Sequence, residues 1–266
     1  MAQVLRHTGG IFQKIHDELV DFDIDFDAFQ SDKYPADRLD FARKVWAERV
    51  QSEFRSIQIM TRFTAEVLGA GDPLEVYAGA ADAVLDEIRH TALCVRMLET
   101  LGGQPMFPDP VYVQERDGFL NRPMAERALG TAISMLAINE TLSTGFIQDL
   151  QERCTDPVVK AVLDITLADE DTHFEYGWKY VENSIKRFNE SSINIWRDVA
   201  ATTLRPHETQ AARILETMGP DQRDLALRPE PELAALGLFS PERQVLVYQK
   251  TLEQEVRPRL AQLGLL

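Results

Sequence analysis

The sequence predicts an all-α protein built on a four-helix bundle, with a long crossover between the second and third helices and further helices at both ends. Three observations carry that expectation. Long helical segments lie between clear breakers, and a non-periodic stretch of about 20 residues interrupts them midway. Two matching frames, Asp86-Glu87-Ile88-Arg89-His90 and Asp169-Glu170-Asp171-Thr172-His173, fall on the second and fourth segments.

Residues 1–36 hold one amphipathic stretch (Ile11, Ile15, Leu19, Val20) and an acidic-aromatic tract from Asp21 to Phe29. The first bundle helix is expected over 37–68, after Tyr34-Pro35 and before Gly69-Ala70-Gly71. Asp72-Pro73 opens the second, with Asp72 as N-cap and Glu75 closing a capping box, and it runs to about Leu101 before Gly102-Gly103. Residues 104–123, with Pro105, Pro108, Pro110 and Gly118, are the crossover. The third helix covers 124–153. Asp156-Pro157 opens the fourth, which reaches about Phe188. Two more helices are expected over 193–218 and 240–263, joined by a linker around Pro229 and Pro231. The short turns at 69–72 and 154–157 make helices one and two, and three and four, antiparallel neighbours.

Composition narrows the function classes. The 266 residues suffice for one substantial core, and no apolar run approaches membrane-spanning length. A net charge of −15 argues against nucleic acid or an anionic membrane as partner. Two cysteines, Cys94 and Cys154, suit a reducing compartment, and the N-terminus lacks a signal-peptide apolar core, so a cytoplasmic location is expected.

The paired frames carry the chemistry. Residues three apart share a helix face, so Glu87 with His90, and Glu170 with His173, could each grip one metal ion. Chance supplies only about 0.4 Glu-x-x-His strings in a chain of this composition. Two further carboxylates follow from helix geometry. From the turn near Gly71, Glu87 is about 16 residues away and Glu53 about 18, whereas Glu48 and Glu66 miss that level by one or more turns. From the turn near Thr155, Glu170 and Glu140 are each about 15 residues away, and Glu140 interrupts an apolar run where an unpaired carboxylate would be costly. The expected ligand set is Glu53, Glu87, His90, Glu140, Glu170 and His173, which suits two ferrous or manganous ions. Asp86 and Asp169 are placed to accept from the imidazole of the opposite helix, and Arg89 to offset their charge. His7, His16 and His207 fall outside the bundle and are not expected as ligands.

On these residues, residues 37–188 resemble the ferritin-like di-iron carboxylate proteins. The frame Asp-Glu-x-Arg-His followed by Asp-Glu-x-x-His is most similar to hydroxylase subunits of bacterial multicomponent monooxygenases. Two further positions match: Cys94, one turn after His90, and Thr144, one turn after Glu140, where those enzymes place a cysteine and a proton-managing threonine. Thr166 stands where arylamine oxygenases carry a third metal-binding histidine, and the chain is much shorter than those hydroxylases. The resemblance implies one ferritin-like domain over 1–266, its bundle at 37–188 and a C-terminal helical extension at 189–266. It also implies a cofactor of two iron ions, or Mn/Fe, that activates O2 to hydroxylate or N-oxygenate a small organic substrate. Cys94, Leu136 and Phe174 would be pocket wall. A ferredoxin or flavin reductase would supply electrons, and a homodimer is expected. The alternatives are a ferroxidase or iron-handling protein, against which the roughly 80 residues after the bundle argue, and a non-catalytic bundle stabilised by metal.

Overall fold

Pro35, Gly71 and Gly102 set the ends of the first two long helices. α1 (Gly10–Leu19) comes before them and buries none of its residues. α2 (Ala36–Ala70) begins directly after Pro35 and ends at Gly71, whose left-handed φ of 73° lets its N–H bond back to Leu68 and that of Asp72 to Val67. α3 (Leu74–Thr100) follows and stops before Gly102, which is also left-handed. The computed structural model describes residues 3–6, 8–115 and 118–266, with the side chain of Asp171 left out.

The expected capping box at the start of α3 is not formed. Pro73 takes the N-cap position and makes no side-chain cap bond. The Asp72 carboxylate is fully buried; it accepts from the Tyr180 hydroxyl at 2.7 Å and pairs with the Arg187 guanidinium. A charge-assisted pair outcompetes a cap bond, and it ties the α2–α3 turn to the fourth bundle helix.

The crossover runs along α2 and is tied to it in register. Gln51 donates to Met106 O, Gln58 accepts from Val113 N, and Arg62 pairs with Glu115. The guanidinium groups of Arg62 and Arg127 both lie over the Phe119 ring. One element was not expected: β1 (Gln3–Val4) pairs antiparallel with β2 (Met106–Phe107) in the crossover.

The third long helix is continuous over 124–153 but not uniform. α4 (Met124–Thr131) widens into a π-helical segment, Ala132–Asn139, and narrows again as α5 (Glu140–Arg153). α6 (Pro157–Ser184) opens on Asp156, whose carboxylate accepts from Val158 N and Val159 N. It ends four residues short of the expected Phe188, giving way to a 3-10 turn.

α2 packs on α3, α3 on α6, α6 on the third helix and the third helix on α2, closing a ring of four. Its interior is two apolar clusters, and the switch between them falls beside a candidate ligand on every helix. On α2 the switch lies between Val50 and Met60, around Glu53. On α3 it lies between Ala83 and Leu93, around Glu87 and His90. In the third helix it follows Glu140, between Leu142 and Leu150. On α6 it lies between Leu163 and Trp178, around Glu170 and His173.

Beyond the ring come α7 (Ile193–Thr217), α8 (Pro220–Ala226), α9 (Pro231–Ala234), α10 (Pro241–Thr251), a second π-helical segment at Leu252–Val256, and α11 (Arg257–Gln262). Trp196, Leu204, Tyr248, Leu252 and Leu260 from these elements belong to one interior cluster. Arg243 grips Asp149 through two bonds of 2.7 and 2.9 Å, fixing α10 to α5. Burial alone would raise the Asp149 carboxyl, but the bonds from Arg243 and Arg153 outweigh it and hold it below the usual carboxylate range. Among the described residues, no helix is long and apolar enough to cross a membrane.

Candidate metal centre

All six expected ligands project into the layer between the two clusters. Glu87, His90, Glu140, Glu170 and His173 are buried and Glu53 is half-buried. Donor atoms of Glu53, Glu87 and His90 lie within 4.8 Å of one another, a group that could hold a metal ion. His90 Nδ1 is 3.6 Å from Glu170 Oε1, and His173 Nδ1 is 3.8 Å from Glu170 Oε2, so Glu170 stands between the two imidazoles. The ring centroids are 6.0 Å apart. Glu53 lies beside Glu87, and Glu140 beside Glu170, near enough for each pair to perturb the other electrostatically.

The other ring nitrogens are held from across the ring. His90 Nε2 lies 3.3 Å from Asp169 Oδ2, and His173 Nε2 lies 3.0 Å from Asp86 Oδ2. Each aspartate thus serves the histidine of the opposite helix, and Arg89 lies between them at 3.5 and 3.9 Å. A carboxylate only accepts, so Nε2 carries the proton of a neutral ring and Nδ1 presents a bare lone pair.

Four inward atoms have no hydrogen-bond partner among the described residues: Glu87 Oε2, His90 Nδ1, Glu170 Oε2 and His173 Nδ1. Leaving such an atom unsatisfied costs about 1–3 kcal/mol. Carboxylate oxygens and imidazole lone pairs within 4 Å of one another repel unless a proton or cation lies among them. Four carboxylates and two imidazoles fit a pair of divalent first-row metal ions, and the orphaned atoms belong to that donor set.

The electrostatics agree. Burial, then the neighbouring carboxylates Glu140 and Glu53, push the Glu87 carboxyl well above its usual range; for Glu170 it is burial, then Glu140 and Glu87. Glu53 is raised chiefly by burial, against the pull of His90. Burial alone would raise Asp169, yet the bond from His90 and the charges of His90 and Arg89 hold it low.

The remaining candidates are less committed to chemistry. Cys94 is buried one turn from His90, and burial followed by the Glu53 charge keeps it a thiol. Thr144 is buried and donates to the Glu140 carbonyl at 2.8 Å. Leu136 is core, and Phe174 sits at the core edge beneath the Arg259 guanidinium. Thr166 bonds its own helix at Val162 O. The rejected acids are accounted for: Glu48 is exposed, and buried Glu66 is satisfied by Arg62, Arg127 and Thr131. His16 is exposed, and His7 lies outside the described residues.

Two features escape the sequence. The π-helical segment ends directly before Glu140, placing a candidate ligand where the backbone is widened. His207 bonds Asn139 at 3.1 Å and stacks on Tyr248, so α7 contacts the residue preceding that ligand. No local pattern joins positions 68 residues apart.

Asp86→Ala removes the acceptor that fixes the His173 tautomer. Metal affinity is expected to fall about 10–100-fold, measured by competition with a chelator; an unchanged affinity would assign Asp86 to the helix surface alone.

No protein-family model matches this chain, and neither does any curated protein or solved structure.

Proposed function

We propose that this is a ferritin-like di-iron oxygenase that transfers oxygen from O2 to a small organic substrate. The observation that carries the reading is the pair of buried, facing Glu-x-x-His sets, whose inward atoms lack partners while crossed aspartates hold their outward nitrogens. Glu53, Glu87, His90, Glu140, Glu170 and His173 would hold the metal pair, two irons or one manganese and one iron. Bound iron supplies the redox chemistry that splits O2, one atom entering a C–H or N–H bond and the other leaving as water, with two electrons from a ferredoxin or flavin reductase and two protons.

The protein's own residues do the rest. Asp86 and Asp169 orient the imidazoles and raise their basicity. The apolar clusters on either side exclude water from the layer. Cys94 contributes a neutral wall, and the Thr144 hydroxyl holds a proton within one helical turn of Glu140.

Oxygen uptake tests this reading. Ferrous-loaded protein mixed anaerobically with a reductant and then exposed to O2 should consume it in repeated turnovers, and Glu170→Ala should not. Iron that is oxidised once and accumulates far beyond the paired sites would replace this function with iron storage.

A further inference from the structure

Outside the ring, at the level of the metal centre, lies a cavity of about 1020 Å³ between the N-terminal segment and the α2–α3 seam. That volume is at the upper end of the roughly 300–1,000 Å³ typical of ligand pockets. Its inner wall is built from neighbours of two ligands. Phe54 and Ile57 follow Glu53 by one residue and one turn, and Ile88 and Thr91 follow Glu87 in the same way. The Thr91 hydroxyl bonds the Glu87 carbonyl at 2.8 Å. Glu53 directly precedes Phe54 in that wall and is half-buried, where the other five candidate ligands are buried.

The outer wall is the chain's own arm. It is anchored at one end by the β1–β2 pairing and at the other by Phe22, Ile24 and Phe26, which pack on the cluster containing Leu93 and Met97. Between the anchors, Phe12 of α1 lines the cavity and remains 72% exposed, so a ligand has apolar surface to cover.

The chemistry of the lining selects the occupant. Five phenylalanines face the space: Phe12, Phe22, Phe26, Phe54 and Phe107. The charged groups are of mixed sign, Arg6 and Arg96 with Asp17, Asp21 and Glu99. Arg96 is 3.8 Å from Glu99 and lies over the Phe26 ring, and His16 is 3.4 Å from Asp17. Such a rim, with one negative charge in excess, offers no strong site for an ion.

We infer that this cavity is the substrate site of the proposed metal centre, and that it takes a neutral, largely apolar molecule with an aryl or alkyl body. The inference rests on the di-iron reading for the word substrate, but the cavity can be tested without metal.

The neutral fluorophore N-phenyl-1-naphthylamine is titrated into the metal-free protein, then into protein loaded with cobalt(II). Saturable binding is expected in the wild type. Ala92→Trp and Val95→Trp, which fill the cavity from α3, should each weaken it at least tenfold without changing the melting temperature or metal uptake. Cobalt should quench the bound fluorophore, as the cavity wall is one helical turn from the ligands. Absent binding, undiminished binding in both variants, or unquenched fluorescence at full cobalt occupancy would each overturn the assignment. Metal uptake, measured separately, reads the di-iron proposal: its absence overturns that reading even if the fluorophore binds.

Discussion

Loading with ferrous iron should raise the melting temperature by about 8–16 °C, and chelation should reverse the gain. A ligand that binds only the folded chain, at a free concentration 1,000-fold above its dissociation constant, stabilises it by about 4 kcal/mol. One kcal/mol moves the transition by about 2–4 °C in a chain near this size. The pH dependence should change with it. Glu53, Glu87 and Glu170 are raised above their ordinary values, chiefly by burial and then, for Glu87 and Glu170, by neighbouring carboxylates, Glu140 first. A raised folded pKa contributes stability that is complete below the unfolded value of about 4.3 and is lost as pH climbs through the folded one. His173, raised by Asp86 and Glu140 against its burial, adds the same sign. The metal-free protein should therefore melt at a lower temperature at pH 8 than at pH 5. Bound cations offset the carboxylate repulsion and remove that decline. Thermal scans at both pH values, with and without iron, check this; a metal-free protein that gains stability toward pH 8 would contradict it.

Gly177→Val should cost at least about 3 kcal/mol and displace a metal ligand. A Cβ at Gly177 would lie 2.5 Å from both the carbonyl carbon and the oxygen of Leu136. Those are backbone atoms of the π-helical segment, and they cannot rotate away. Relief requires α6 and the third helix to separate, which moves Glu140 away from Glu170. Gly145 offers the internal contrast. Its Cβ would meet the Thr251 hydroxyl, methyl and Cβ on α10, which carries no candidate ligand, so Gly145→Ala should cost stability without displacing one. Melting and metal titration of both variants measure the difference. Equal stability in Gly177→Val and wild type would mean that the two helices are not held at this distance.

The parts legible in the sequence are those set by local chemistry. Gly71, Gly102 and Asp156-Pro157 mark helix ends because each acts through its own backbone or cap. The shared level of these side chains was legible because antiparallel helices measure distance from their shared turn, which brings Glu53 to Glu87 and His90. The crossed aspartates follow from the same symmetry. The misses are set by distant partners. Asp72 has the residue type of a cap, but Tyr180 and Arg187 claim its carboxylate. The π-helical segment has no period of its own in the sequence, and Gly177 is its counterpart on another helix. Among the described residues the N-terminal arm pairs as a strand through Gln3 and Val4, too short for any alternation to register, and so the cavity behind it is not legible.

Six side chains on four helices are proposed to act as one metal-binding unit. The decisive measurement is iron per chain after anaerobic loading with ferrous ion, in the wild type and in Glu140→Ala. About two irons are expected in the wild type, with a clear loss in the variant. No stoichiometric iron in the wild type would contradict the proposal and leave the facing Glu-x-x-His pairs as structural features of the helices.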